Sequence, residues 1–202
     1  LLDIFSIMPE QDLNERVAHR VRSRRSELAL SLDALATKSG VSRSMISLIE
    51  RAESSATAVV LDRIATALGL PLASLFDDPC AAASPVSHAA DRQSWRDPAS
   101  GYVRRAISPP GFPSPFQIVE VELPSGATVA YESGARDVEI HQQIWVQQGS
   151  IELVCGSVTH RLAPGDCLAM RLDVPTSFRN RTGQTARYIV IVTTLNDASA
   201  RR

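Results

Sequence analysis

Ser42, Arg43, Ser44, Ser47, Leu48 and Arg51 fall in one short stretch of the chain. A helix starting after Ser42 buries Ile46 and Ile49 and turns Arg43, Ser44 and Ser47 outward. Guanidinium and hydroxyl groups so spaced can hydrogen-bond to base edges in a major groove or to phosphates, and Arg43 suits either partner. Other chemistry finds less support. His19, His88, His141 and His160 form no cluster, and Cys80, Cys155 and Cys167 form no CxxC pair, so neither a zinc module nor a disulfide scaffold is expected. Cys155, next to Gly156, reads as a turn residue and Cys167 as a small core residue. There is no Gly-rich nucleotide loop and no Ser-His-Asp convergence that spacing alone reveals.

The elements that position this polar stretch read as helices. Leu13, Val17, Val21 and Leu28 lie near one stripe of a first helix, about residues 12 to 28. Ser31 caps a second, Leu32 to Ser39, which Gly40 ends by taking positive φ. Ser42 caps a third, from Arg43 to about Arg51, and a fourth starts near Thr57 and ends at Gly69. Leu70 to Phe76 reads as a short fifth helix. Ala36 allows close approach and Gly40 makes the bend tight, which gives a helix-turn-helix shape.

The two halves differ in pattern. Residues 12–78 are expected to form a helical domain, 79–100 a linker with Pro79, Pro85 and Pro98, and 101–196 a β domain. Trp95 is large enough to dock on the β domain instead of lying free. The formal net charge is -1, which argues against wrapping of nucleic acid by a basic surface and leaves room for one helix docked locally. Residues 12–68 hold nine Lys or Arg against seven acids, with the basic excess in the first helix. No run is long and apolar enough to span a membrane, and the cysteine usage fits a reducing cytoplasm. The chain starts without Met, and the numbering is read as able to begin inside a longer protein.

The run Ser31-Leu32-Asp33-Ala34-Leu35-Ala36, followed by Gly40-Val41-Ser42-Arg43-Ser44-Met45-Ile46-Ser47-Leu48-Ile49-Glu50-Arg51, closely resembles the lambda-repressor-like (XRE) family of DNA-binding domains. The resemblance covers about Leu13 to Phe76. It implies that the helix after Gly40 is the recognition helix, with Arg43, Ser44, Ser47 and Leu48 facing bases and Ser42 at the helix mouth. It also implies an ion pair between Arg24 and Glu50 that ties the first helix to the third. Leu32 stands where many relatives carry a phosphate-binding Gln, so phosphate anchoring is expected from backbone amides at helix ends and from Arg51, Ser54 or Ser55.

In the second half, eight candidate strands run 103–107, 116–123, 128–131, 139–147, 150–154, 158–162, 167–171 and 186–194, with turns at Gly149, Gly156 and Pro164-Gly165-Asp166. Many short strands with small-residue turns predict a closed double-sheet barrel. Trp145 to Leu153, Leu162-Ala163-Pro164-Gly165-Asp166-Cys167 and Pro175 to Asn180 resemble the cupin family, whose fold is a double-stranded β-helix or jelly-roll barrel. In metal-binding cupins the usual histidine and glutamate ligands would fall at Arg136, Val138, Gln142 and Thr176; none is a usual ligand, so no metal and no cofactor are expected. His141 would turn inward only by a one-residue register error, and is expected to be hydrogen-bonded or interfacial. The resemblance places an effector pocket at Arg136, Gln142, Thr176 and Asn180, with Tyr131 and Arg171 as further lining; an inward arginine favours an anionic effector.

The expected molecule is thus a two-domain chain, an all-α five-helix helix-turn-helix head and an all-β cupin barrel. Its expected function is sequence-specific transcriptional regulation. The expected partners are a double-stranded DNA operator, an unidentified small-molecule effector and a second copy held through the cupin domain, with no membrane. The alternatives are a cupin isomerase or oxygenase with a DNA-binding head, and a non-enzymatic protein-interaction or dimerisation module.

Overall fold

A computed structural model describes residues 9–76, 84–132 and 139–195. Helix α1 (Pro9–Glu27) lays Leu13, Val17 and Val21 into the core, and α2 (Leu32–Ser39) adds Leu35. Ser31 Oγ accepts from the Ala34 amide at 3.0 Å and starts α2. Gly40 ends it at φ +67°, and its amide donates to Ala36 O at 2.9 Å. That left-handed bend turns the chain into α3 (Arg43–Glu50), which buries Ile46 and Ile49. Helix α4 (Ala58–Ala67) closes the head with Leu61 and Ile64.

Leu70 to Phe76 departs from the expectation. The described head has four α-helices, not five, and Leu72–Phe76 is a 3-10 turn. Pro71 sets the reason: it starts the segment with a tight bond from the Ser74 amide to Pro71 O at 3.0 Å, and five residues are too few to propagate an α-helix. The turn still closes the core with Leu72, Leu75 and Phe76.

The β half is not a closed barrel. Its strands are β1 (Ser94–Arg96), β2 (Val103–Ala106), β3 (Phe116–Leu123), β4 (Thr128–Tyr131), β5 (Glu139–Gln148), β6 (Ile151–Cys155), β7 (Val158–Leu162), β8 (Cys167–Arg171), β9 (Thr176–Arg179) and β10 (Ala186–Leu195). They form two open sheets: six strands in the order β1-β2-β3-β10-β5-β8 and four in the order β4-β9-β6-β7. No strand of one sheet pairs with a strand of the other among the described residues, so both keep their edges. The sheets meet through side chains, as where Phe178 of β9 stacks on Tyr188 of β10 with ring centroids 5.8 Å apart. The eight candidate strands are present. β1 and β9 were not foreseen: each is short, and each is fixed by its neighbours in the sheet.

Alternation decides which side chains meet the core. On β5, Ile140, Gln142, Ile144 and Val146 point inward. Cys167 pairs with Trp145 on the outer face and is exposed, which corrects its reading as a core residue. Cys155 ends β6 and is half-buried. At the β5–β6 turn Gly149 has φ +71°, and a Cβ there would come within 2.9 Å of Ala186 Cα, so only glycine fits.

The halves pack on each other. Trp95 is buried between Phe76 of the head, at 5.3 Å between ring centroids, and Tyr102 of the β half, at 5.7 Å. Arg104 of β2 lies over the Phe76 ring at 5.3 Å. Asp97 is buried and accepts from the Ala58 amide at the start of α4 at 2.8 Å. Arg63 of α4 pairs with Glu132 at 2.6 Å.

Candidate nucleic-acid interface

Helix α3 is set at its first turn by Ser42, whose Oγ accepts from the Met45 amide at 3.2 Å and lies 3.1 Å from Ser44 Oγ. Ser42, Arg43 and Ser44 are exposed, and Ser47 and Leu48 are half-buried beside them. The expected reading set therefore shares one accessible flank. Arg43 is held loosely by Asp33, 3.5 Å away. Arg51 donates to Ser47 Oγ at 2.6 Å and to both carboxylate oxygens of Glu53, at 2.9 and 2.8 Å. That bidentate contact holds the Glu53 carboxyl below the usual carboxylate range. Both exposed arginines thus have a carboxylate at hand, which a DNA phosphate or base would have to displace.

The far end of α3 is tied to α1. Arg25 donates to Glu50 through Nε at 2.6 Å and Nη2 at 2.9 Å, and its Nη1 reaches Leu30 O at 2.9 Å. Arg22 donates to the Glu50 carbonyl. The expected partner of Glu50 was Arg24, and this is corrected: Arg24 pairs with Glu27 at 2.8 Å and donates to Leu68 O at 3.3 Å. Helical phase explains it. Arg24 continues the stripe of Val17 and Val21 towards α4, whereas Arg22 and Arg25, three apart, share the adjacent face next to α3. Three arginines within four positions look alike in sequence, and only that phase separates them.

Helix α3 ends in a left-handed residue, Ala52 at φ +56°, with the Glu53 amide donating to Leu48 O at 2.9 Å. Ala29 does the same after α1, at φ +52°. Glycine usually fills such positions, so these two stops carry no sequence signal.

Of the residues expected around an effector, Tyr131, Gln142 and Thr176 converge on one cavity of about 80 Å³ between the sheets and the head. Tyr102 and Tyr188 line it too, and Tyr102 Oη lies 3.3 Å from Tyr131 Oη. Burial pushes all three phenols above the usual tyrosine range. Asn180 is used structurally: its amide donates to Leu123 O at 2.9 Å and Gln184 O at 2.7 Å, and its oxygen accepts from Thr182. Arg171 stands on the outer face of β8, bound to Glu139 and Asp173. Arg136 and Val138 lie outside the described residues. His141 also faces outward and meets Glu139 at 2.8 Å. At the two described positions of the cupin metal site, Gln142 offers an amide that donates to Met170 Sδ and Thr176 a hydroxyl; neither fits a divalent ion as imidazole or carboxylate would. No group of three His, Cys, Asp or Glu able to hold a metal occurs among the described residues.

Residues 21–75 match the helix-turn-helix family HTH_3. The head is an HTH_3 DNA-binding domain. The chain is 27% identical to the HTH-type transcriptional regulator SutR of Escherichia coli (strain K12), over 88% of this chain and 94% of that protein. Its fold matches a crystal structure of an HTH_3 family transcriptional regulator from Vibrio cholerae, with a TM-score of 0.71, 24% identity, and coverage of 92% of this chain and 99% of that one. The cupin domain of an XRE family regulator from Enterobacter cloacae overlays 47% of this chain at a TM-score of 0.41 and 16% identity. The HTH_3 domain is joined to the two-sheet β half described above. No helix among the described residues is long and apolar enough to cross a membrane.

Proposed function

We propose that the chain is a sequence-specific, effector-responsive transcriptional regulator that reads double-stranded DNA with α3. The exposed polar flank of Arg43, Ser44 and Ser47, presented at the capped end of a short helix, carries this reading. The relatives named as transcriptional regulators support it. In this reading the β domain is not an enzyme. The neutral side chains of Gln142 and Thr176 at the cupin metal positions favour a binding role over catalysis.

One helix makes few contacts, and a second copy raises affinity by acting on an adjoining half-site. We assign the dimer contact to the outer face of the six-stranded sheet. Phe116 and Ile118 of β3, Ile189 and Ile191 of β10 and Trp145 of β5 share that face, and Phe116 and Trp145 are about half exposed. Glu120 and Gln143 lie on the same face opposite Ile189 and Ile191, so the apolar area is a patch within an otherwise polar, water-facing surface. In vitro selection from a random duplex library tests the function: enrichment of a paired half-site sequence supports it, and recovery of no preferred sequence overturns it.

A further inference from the structure

A cleft of about 590 Å³ runs between α1 and the β half. Its volume lies in the range of ligand sites for small organic molecules, roughly 300–1,000 Å³, whereas the cavity of about 80 Å³ beneath the tyrosines admits only a few atoms. One wall belongs to the DNA-binding head: Leu13, Arg16 and Arg20 of α1, then Phe76. The facing wall belongs to the β half, with Trp95, Arg104 and the loop carrying Phe112.

The lining has two kinds of surface. Four arginines, Arg16, Arg20, Arg92 and Arg104, face it among the described residues, against a single carboxylate, Asp91. Arg20 Nε is buried without a hydrogen-bond partner. A buried guanidinium N–H left unmade is costly, and an acceptor supplied from outside would remove that cost. The apolar part is aromatic: Trp95 and Phe76 form the floor, and Phe112 and Val86 stand about half exposed at its edge.

We propose that this cleft binds a small carboxylate with an aromatic or aliphatic apolar body, and that the bound molecule bridges the head and the β domain. The carboxylate meets Arg20 and Arg104, and the apolar body lies against Trp95, Phe76 and Phe112. The same helix that lines the cleft with Arg16 and Arg20 holds α3 through Arg22 and Arg25. A ligand that contacts both walls favours the head position in which they close on it, and it can alter DNA affinity only by that difference. This rests on the regulator reading and names where its effector sits.

Phenylacetate and octanoate are the probes, with phenylacetamide and octanamide as uncharged controls, titrated calorimetrically into the full chain. W145F leaves Trp95 as the single tryptophan, so its fluorescence reports on the cleft. The expected result is saturable binding of at least one carboxylate, at least tenfold weaker binding of its amide, a change in Trp95 emission, and a tenfold or greater loss in R20Q. No saturable binding of either carboxylate up to about 10 mM, or equal binding of the amide, overturns the proposal without any variant being needed. Unchanged affinity in a folded R20Q overturns it as well. DNA affinity is measured separately on the selected duplex by fluorescence anisotropy. DNA binding without a carboxylate site sinks this inference and leaves the regulator reading standing; a carboxylate site without DNA binding does the reverse.

Discussion

Asp97 of the β half caps a helix of the DNA-binding head: its Oδ1 accepts from the Ala58 amide at 2.8 Å, while Oδ2 holds the Ser100 amide and hydroxyl. The first turn of α4 thus takes part of its hydrogen bonding from the other half of the molecule. The side chain is almost fully buried, so the contact is made away from competing water.

D97A is expected to destabilise the protein by about 2 kcal/mol, because it leaves a buried helix-terminal amide unpaired. D97N keeps one acceptor and should cost less. Urea denaturation of the three proteins checks this. A D97A midpoint equal to that of the parent would mean the two halves do not share this cap in solution.

The second prediction separates three neighbouring arginines. E50Q removes the charge that Arg25 grips with two short bonds, and should cost about 3 kcal/mol, since the pair is largely shielded from water. R25A should be comparably harmful. R24A, whose partner Glu27 is about half exposed, should cost about 1 kcal/mol or less. Equal losses in R24A and R25A would restore the ion pair expected from family resemblance.

The third concerns alkali. All three tyrosines of the chain are held above the usual phenol range by desolvation, Tyr102 and Tyr188 buried and Tyr131 half-buried beside them. Unfolded phenols ionise near pH ~10. Above that pH the unfolded chain gives up protons that the fold keeps, so stability is intact below about 10 and falls as pH rises further. Absorbance at 295 nm should stay flat through the ordinary tyrosine range and then rise together with loss of near-ultraviolet circular dichroism. A step near pH ~10 in the folded protein would show that the phenols are open to water.

The dimer face gives the fourth. W145D puts a charge beside Ile189 in the apolar patch on the outer face of the six-stranded sheet and should shift the protein from dimer to monomer at micromolar concentration, with the head still folded. Sedimentation velocity reads the outcome. A parent protein that is already monomeric with and without DNA would remove the proposed interface.

Much of the head was legible in sequence because its signals are local. Ser31, Gly40, Ser42 and Thr57 each cap or stop a helix by contacts within a few residues. The pairing of Arg25 instead of Arg24 was not legible, because it depends on where α1 faces α3. The β half shows the same boundary. The cupin resemblance gave Gln142 its place and alternation along β5 buries it, but whether the edges β1, β8, β4 and β7 join is a long-range matter, and the expected closure into a barrel did not occur. The resemblance pointed to Asn180 in an effector pocket, with Arg171 expected as further lining, whereas Asn180 donates to two backbone carbonyls and Arg171 pairs with Glu139 and Asp173 on the outer face. The larger cleft draws its walls from both halves, so no single motif announces it.

The most direct test is the affinity of R43A for the selected duplex and for a scrambled duplex of equal length, at one stated salt concentration. If α3 reads bases, R43A loses about 1–3 kcal/mol on the selected site, with much less change on the scrambled one and no change in melting temperature. Equal affinity and equal discrimination in R43A and the parent would contradict base reading by Arg43 from the exposed flank of α3.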